Sequence, residues 1–468
     1  MTNTLPSKNG STSRPSGTRQ QSAVGLHKHR RTATDIGLAL ITPIVGQEFL
    51  DRYGLRDPLN RGLKYGVKQA FSTVGAATRQ FQRIQALGKA PTRLKASGAD
   101  YFDLTPDEDQ QMIVDTVREF AAEILRPAAH DADEAATYPT DLIAKAAELG
   151  VTAVNVPEDF DGIAEHRSTV TNALVAEALA YGDMGLALPI LAPGGVAAAL
   201  THWGSADQQA TYLREFAGEN VPQACVTIAE PHALFDPTAL KTTAVRTPSG
   251  YRLSGVKSLV PAAADAELFI VAAQLNGKPA LFIVEAASPG LTVTADPSMG
   301  IRAAALGRIE LDNVAVPLGN RLGEDVTDQD HAQNYSEAIA LSRLGWAALA
   351  VGTSHAVLDY VIPYIKERQA FGEPIAHRQS VAFMTANIAI ELDGLRLITW
   401  RGAARAEQGL PFAREAALAK KLGTDKGMQI GLDGVQLLGG HGYTKEHPVE
   451  RWYRDLRAIG VAEGVVVI

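Results

Sequence analysis

Cysteine is almost absent from this sequence, with Cys225 alone among 468 residues. One cysteine excludes an internal disulfide framework, and no Cys/His cluster has the spacing of a zinc site, so we expect no metal centre and a reducing, cytoplasmic setting. Long apolar runs are also scarce near the start. The segment 36–46 (IGLALITPIVG) is too short to span a bilayer. It follows the basic stretch 27–31 (HKHRR), but no small-residue cleavage pattern follows it, which argues against a secretory signal.

Acidic residues are few in the first part of the chain. Residues 1–100 hold 16 Lys and Arg against 5 Asp and Glu, whereas the remainder holds 28 against 47. The sequence therefore describes an acidic body with a basic front segment. With 46% hydrophobic and 21% charged residues, the composition is typical of soluble globular proteins, and the length predicts several domains.

The basic front segment divides into two parts. Residues 1–34 are polar and basic with few large apolar side chains, which predicts a disordered tail, and residues 35–104 are predicted to be a helical basic extension and linker. Within it, residues 61–87 have a helical apolar period interrupted by basic residues. Such a helix either lies on an anionic membrane surface or packs onto the protein body. Stacking aromatics are not interleaved with the basic residues, so we expect no nucleic-acid binding.

The periodicity changes twice along the body. Helical patterns occupy 104–125, 140–149, 168–182 and 206–217, with Thr105 as a candidate N-cap and Pro106 at the first helical position. Short alternating or apolar runs fill 224–316, and long helical patterns return at 333–367, 378–408 and 412–438. The order predicts a mostly helical α+β protein with three parts. These are an N-terminal helical domain (105–222), a central small β domain (223–328) and a C-terminal helical domain (329–468).

Three stretches give the sequence a family resemblance. ERQAFGEPIAHRQSVAF (367–383), DGVQLLGGHGYTKEHPVERWYRDLR (433–457) and MGIRAAALGRIELDNVAVPLGNRLG (299–323) resemble, in that order, motifs of the acyl-CoA dehydrogenases. From about residue 105 onward the chain is therefore similar to these flavoproteins. The resemblance implies that the three parts are an N-terminal helical domain, a small β domain and, at 329–468, a C-terminal four-helix bundle. It also implies FAD as the cofactor and an acyl-CoA thioester as the substrate.

The resemblance also implies a catalytic base. In the family a carboxylate removes the α-proton of the thioester while the flavin accepts the β-hydride. Glu463 follows Asp455 at the family's usual spacing and stands in the apolar sequence VAEGV. Desolvation raises the pKa of a carboxylate toward that of a weakly acidic C–H. The alternative is a solvent-exposed carboxylate on a free tail. Gly464 and Arg343 match substrate-site positions, although Arg343 also fits a helix-surface arginine.

The remaining site predictions concern the dinucleotide. By the resemblance, Arg368 binds the pyrophosphate of the neighbouring subunit's FAD, which implies a dimer or tetramer, and a pairing of Arg368 with Glu367 or Glu373 is the alternative. The other positions that match FAD contacts are Phe371, Gln379, Gln436, Leu437, Gly439, Gly440, Ile228 and Ala229. The resemblance further implies that an electron-transfer flavoprotein is the electron acceptor.

The β-domain half of the flavin site departs from the family pattern. Ala229, Leu234 and Phe235 replace a threonine, a glycine and a serine, and the segment 259–261 (LVP) replaces an aromatic wall and a hydroxyl. The Arg368 side is intact. One interpretation is an active, divergent homo-oligomer whose backbone amides still hold FAD. The other is a non-catalytic or half-site subunit of a hetero-oligomer with a related chain.

Overall fold

The structure is a computed structural model, and it describes residues 106–164, 169–218, 220–324 and 326–468. The predicted basic tail, the extension and the amphipathic helix at 61–87 all lie outside the described residues. Their disorder, their helicity and any contact with a membrane therefore stay predictions from the sequence.

The described chain begins with a helical layer. It contains α1 (Glu108–Phe120), a π-helical turn (Ala121–Leu125), α2 (Arg126–Ala135), α3 (Leu142–Glu148), α4 (Thr169–Gly182), α5 (Met184–Trp203) and α6 (Ala206–Tyr212). The predicted start of α1 was wrong. Asp107 is the N-cap, because its side chain accepts the backbone N–H of Gln110 while the Gln110 side chain accepts that of Asp107. This reciprocal capping box fixes the first turn two residues beyond Pro106.

Helix α5 was not predicted from the sequence. It contains Pro189 and Pro193, and it is apolar on all sides rather than on one face. Proline normally interrupts a helix, and an all-round apolar segment gives no amphipathic period. The helix forms because nearly all of it is buried in the core, and because the Asp183 side chain caps it by accepting the Leu186 N–H at 3.0 Å.

The middle of the chain forms a seven-stranded sheet. Its strands are β1 (Ala224–Thr227), β2 (Thr243–Thr247), β3 (Gly250–Val260), β4 (Leu268–Leu275), β5 (Lys278–Glu285), β6 (Leu291–Ala295) and β7 (Gly307–Pro317). The order is β1-β4-β2-β3-β7-β6, with β5 paired to β4. Strand β1 runs parallel to β4, with Ala224 opposite Leu268, and both strands are largely buried. This buried edge supports the site described below.

Four helices complete the fold. They are α7 (Asp328–Glu367), α8 (Gln379–Glu407), α9 (Ala413–Leu438) and α10 (Val449–Leu456), with a small hairpin of β8 (Gln369–Ala370) and β9 (Glu373–Pro374) between α7 and α8. By length and composition alone α5 and α7 could cross a membrane, but 94% of the apolar window of α5 and 61% of that of α7 is buried inside the fold, as in core helices. The α+β, mostly helical fold class is confirmed.

Candidate active site

The segment that carries Glu463 is held between the sheet and α7. The Val465 N–H donates to the Val226 carbonyl at 2.9 Å, which adds the segment to the edge of β1. From α7, the Ser342 hydroxyl (2.7 Å) and the Trp346 indole N–H (2.9 Å) both donate to the Gly464 carbonyl. Residues 465–468 are all buried. Glu463 therefore stands on an anchored segment, not on a free tail.

Two glycines permit this close packing. Gly464 has φ +82°, and a Cβ there would lie 2.9 Å from the Val226 carbonyl oxygen. Gly345 lies on α7, and a Cβ at that position would collide with the Val466 carbonyl oxygen. Gly464 therefore lets the segment approach the end of β1, and Gly345 lets α7 approach the segment, because neither position has a side chain.

We expect Gly345→Ala to lower the free energy of unfolding by about 1–3 kcal/mol, because the added methyl group forces two buried elements apart. Urea unfolding measures the effect. Gly394→Ala is the matched control, since Gly394 also lies in a long helix but its added Cβ would meet nothing within 4 Å. The control should gain about 0.5–1 kcal/mol from helix propensity. Equal stabilities for the two variants would contradict this packing argument.

Glu463 is a mostly buried carboxylate with an arginine partner. Arg343 donates from Nη2 to Oε1 at 3.0 Å, and from Nε to Oε1 and Oε2 at 3.2 Å and 3.4 Å. Glu463 is 9% exposed, whereas the Arg343 side chain is 29% exposed. Such a two-point ion pair fixes both the position and the orientation of the carboxylate. The two predicted residues thus lie together, although they are 120 positions apart in sequence.

Lys420 is the third charged member of this cluster, and the sequence analysis missed it. Its Nζ lies 3.9 Å from Glu463 Oε1 and donates to the Ala462 carbonyl. Burial lowers the pKa of Lys420 to about 8; the nearby Glu463 carboxylate opposes this effect, and Arg343 adds to it. The position of Lys420 on its helix could have identified it from the sequence. Lys420 shares one face of α9 with the buried Ala416 and Gly423, at a spacing where an unpaired lysine is costly.

Ile228 and Ala229 follow β1 directly and are buried. The next residue, Glu230, shapes the loop after them, because its carboxylate accepts the N–H groups of Lys241 and Thr242 at 2.7 and 2.9 Å. The same carboxylate binds Lys257 Nζ at 2.9 Å. Burial would raise the pKa of Glu230, but Lys257 and the donors outweigh it and leave the pKa below its usual range. Glu230 therefore holds the loop and is not available as a proton acceptor.

The divergent stretch at 259–261 is also fixed by a carboxylate. Asp296 accepts the Leu259 N–H at 3.0 Å and the Ser258 hydroxyl at 2.5 Å. Leu259 has φ +56°, an uncommon conformation for a residue with a side chain. The Ser258 N–H donates to the Ala229 carbonyl at 3.0 Å, which joins this stretch to the loop after β1. The two departures from the family pattern therefore lie side by side in the fold.

A groove of about 690 Å³ lies between the hairpin and the end of α9. It is lined by six of the residues predicted to contact a dinucleotide, namely Arg368, Phe371, Gln436, Leu437, Gly439 and Gly440. Gln379, between the lining residues Arg378 and Ser380, begins α8 and is exposed. Glu373 pairs with His377 and Arg378, not with Arg368. Among the described residues, neither Glu367 nor Glu373 forms an ion pair with Arg368, so neither of the two predicted carboxylate partners occupies its guanidinium.

The residue types that line the groove are of the kind that bind a dinucleotide. Phe371 and Gly372 both have positive φ, as in a tight two-residue hairpin turn, and the Phe371 ring is 94% exposed at its tip. A Cβ built on Gly439 or Gly440 meets nothing within 4 Å, so the backbone there borders open space. An arginine fork, an exposed ring and bare backbone together suit a pyrophosphate next to a flat base.

Family models match this arrangement domain by domain. The N-terminal domain of acyl-CoA dehydrogenases matches residues 107–220, the middle domain residues 225–314 and the C-terminal domain residues 333–466. The chain therefore belongs to the acyl-CoA dehydrogenase family, oxidoreductases that act on acyl-CoA. The family resemblance of the sequence is confirmed.

Individual relatives agree with the family assignment. The mitochondrial short-chain specific acyl-CoA dehydrogenase of Mus musculus is 31% identical over 369 residues, which cover 76% of this chain and 87% of the relative. Butyryl-CoA dehydrogenase from Megasphaera elsdenii superposes with a TM-score of 0.71 at 28% identity, covering 78% of this chain and 97% of that one. PigA with FAD and proline gives a TM-score of 0.71 at 25% identity, covering 78% and 96%.

Proposed function

We propose that this protein is an FAD-dependent acyl-CoA dehydrogenase that converts an acyl-CoA into a 2,3-enoyl-CoA. The observation that carries the proposal is the buried Glu463 carboxylate, fixed by Arg343 and Lys420 on a segment anchored to β1 and α7. A base for a C–H proton has to be held in place and kept from water, and this environment provides both conditions.

The residues of the chain have separate tasks in this reaction. Glu463 removes the α-proton of the thioester, and Arg343 and Lys420 balance its charge until the substrate arrives. Bound FAD supplies the acceptor for the β-hydride. Gly464 allows the segment that carries the carboxylate to pack against Val226 and Ile228, because it has no side chain. Burial of the segment restricts water around the reacting carbons, which strengthens each electrostatic contact.

FAD would be held by two groups of residues. Ile228, Ala229 and the backbone of the adjoining stretch at 258–261 provide the β-domain side, where side-chain donors are few. Arg368 and the groove after α9 provide the pyrophosphate side for a neighbouring subunit. PigA, a structural relative, binds FAD with the same overall fold, which supports this cofactor.

A second copy of the chain is the proposed oligomeric partner. Helix α8 carries the exposed apolar side chains of Phe383, Ile390 and Leu397, each seven positions from the next. Residues at this spacing share one helix face, and an exposed apolar face of this kind indicates a protein contact. An electron-transfer flavoprotein is the proposed electron acceptor. The relatives do not favour the other interpretation, a non-catalytic half-site subunit.

The proposal is tested with the purified full chain, FAD, a dye acceptor and a series of acyl-CoA thioesters. The short-chain and butyryl-CoA dehydrogenases among the relatives make butyryl-CoA the first thioester to use. We expect a product that has lost two hydrogens, identified by mass spectrometry. An FAD-loaded protein that leaves every thioester in the series unchanged would contradict the proposal.

We expect Arg368→Ala to weaken FAD binding by about 10- to 100-fold, since a hydrogen bond to a charged group contributes about 1.5–3 kcal/mol. Arg368→Lys is the matched variant, because it keeps the positive charge and loses only the planar fork. Its affinity should fall between those of Arg368→Ala and the wild type in a titration followed by flavin fluorescence. Unchanged affinity in the alanine variant would show that Arg368 does not contact the cofactor.

A further inference from the structure

A group of potential metal ligands lies beside the groove and has no task in the proposed reaction. It consists of His441, Glu446 and His447, and one ligand atom from each lies within 4.8 Å of the other two. His441 also lines the groove. No metal centre was predicted from the sequence, because the spacing of these residues is not that of a zinc finger.

The backbone brings the three side chains together in a short turn. His441 lies in the 3-10 turn Gly439–Tyr443 that ends α9, and His447 stands just before α10. The Thr444 N–H and hydroxyl donate to the His441 carbonyl at 3.2 and 2.9 Å, which closes the turn. The imidazole centroids of His441 and His447 consequently lie 5.6 Å apart.

The ring of His447 is held by a hydrogen bond. Its Nδ1 lies 2.7 Å from the Tyr360 hydroxyl, and the tautomer decides which of the two groups donates. In the tautomer whose Nδ1–H donates to the hydroxyl oxygen, Nε2 presents its lone pair, and such a second hydrogen bond is the usual support of a metal-bound histidine. The rings of Tyr360 and Tyr364 pack edge-on against the imidazole, so its orientation is fixed before any ion binds.

The charges around the group favour a cation. Within the described part of the chain, Glu446 has no ion-pair partner of its own, and its carboxylate is exposed. The adjacent Lys445 pairs with Glu134 of α2, so its positive charge is offset. The carboxylate charge of Glu446 is therefore available to an incoming ion.

We propose that His441, Glu446 and His447 bind one divalent transition-metal ion per chain, with Zn²⁺ preferred over Mg²⁺. Two imidazoles and one carboxylate are ligands that suit zinc, whereas Mg²⁺ prefers oxygen alone. A tetrahedral ion with bonds of about 2.0–2.1 Å holds its ligands roughly 3.4 Å apart. A small movement of the exposed Glu446 side chain closes the remaining distance. A bound ion would brace the turn that forms one wall of the groove.

Isothermal titration calorimetry of the untagged, EDTA-treated full chain with ZnCl₂ measures the stoichiometry and affinity of zinc binding and so tests the proposal. We expect one site per chain with micromolar or tighter affinity, weakened at least tenfold in His441→Ala and in Glu446→Gln, and no matching site for MgCl₂. His130→Ala is the control, since His130 is exposed on α2, and it should leave the affinity unchanged.

Two controls are needed, one for zinc binding by other histidines and one for loss of folding in a variant. The 27–31 stretch contains two histidines that could bind zinc by themselves, so the result is judged by the difference between variants. Because His447 is packed against two tyrosines, His447→Ala is checked by thermal unfolding before its affinity is interpreted. Zinc binding that is equally strong in the His441→Ala and Glu446→Gln variants would overturn the proposal, as would the absence of a stoichiometric site in the wild type.

Discussion

Glu463→Gln is expected to lower the dehydrogenation kcat by about 10²- to 10⁴-fold, the range that a positioned acid or base contributes. Glutamine is nearly the same size and can still accept the hydrogen bonds of Arg343, so the anchored segment should keep its place. The amide cannot take up the α-proton. The affinity for FAD and for the thioester should change little, which separates the chemical step from binding. Stopped-flow reduction of the flavin by butyryl-CoA measures that step.

Asp425→Asn is the control for this experiment. Asp425 lies on α9, just over one turn after Lys420, but its carboxylate is exposed, and its ion-pair partner among the described residues is Lys421. Surface ion pairs of this kind contribute little to stability, and we expect wild-type rates. Flavin reduction at the wild-type rate in Glu463→Gln would exclude Glu463 as the base.

Lys420→Met is expected to lower kcat by about 10- to 100-fold. The Lys420 ammonium donates to the buried Ala462 carbonyl, next to Glu463. An unsatisfied buried acceptor costs about 1–3 kcal/mol, and the segment is expected to relax away from its position to reach another donor. In the proposed reaction Lys420 is thus a positioning residue, and its loss is expected to displace Glu463 rather than to remove the carboxylate.

The pH dependence of kcat distinguishes an electrostatic effect of Lys420 on Glu463 from a contribution of Lys420 to stability alone. As the pH rises through about 8, the buried Lys420 loses its proton and Glu463 loses one positive neighbour. A carboxylate with fewer positive neighbours is a stronger base, so the wild-type kcat should increase across this range. Lys420→Met and Lys420→Arg should both lack the increase, because neither side chain titrates there. A variant that is slower but keeps the inflection near pH 8 would contradict the assignment.

Local periodicity was enough to predict most of the fold. The long helices α7, α8 and α9 and the strands β4 to β7 have regular apolar patterns bounded by Gly, Pro or Asn, and they lie close to where the sequence placed them. Helix α5 was missed because it is buried on every side. Its apolar residues therefore do not recur at the helical spacing that marks one buried face. Its prolines, Pro189 and Pro193, also argued against a helix.

The site was predicted from motif positions rather than from local patterns. Glu463, Arg343 and the residues of the groove were predicted from the resemblance. Lys420 was missed because its partner is 43 positions away and only tertiary packing brings the two together. The hydrogen bonds from Ser342 and Trp346 to the Gly464 carbonyl could not be predicted either. Every residue has a backbone carbonyl, so the sequence does not indicate which one accepts them.

Anaerobic titration of the purified, FAD-reconstituted chain with butyryl-CoA and longer thioesters, followed by visible absorbance, tests whether the protein is an acyl-CoA dehydrogenase that uses Glu463. We expect about one bound FAD per chain and bleaching of its visible absorbance by at least one thioester. The Glu463→Gln variant should bind the same thioester without bleaching. A chain that stays colourless after reconstitution, or a bound flavin that no thioester reduces, would contradict the proposed function.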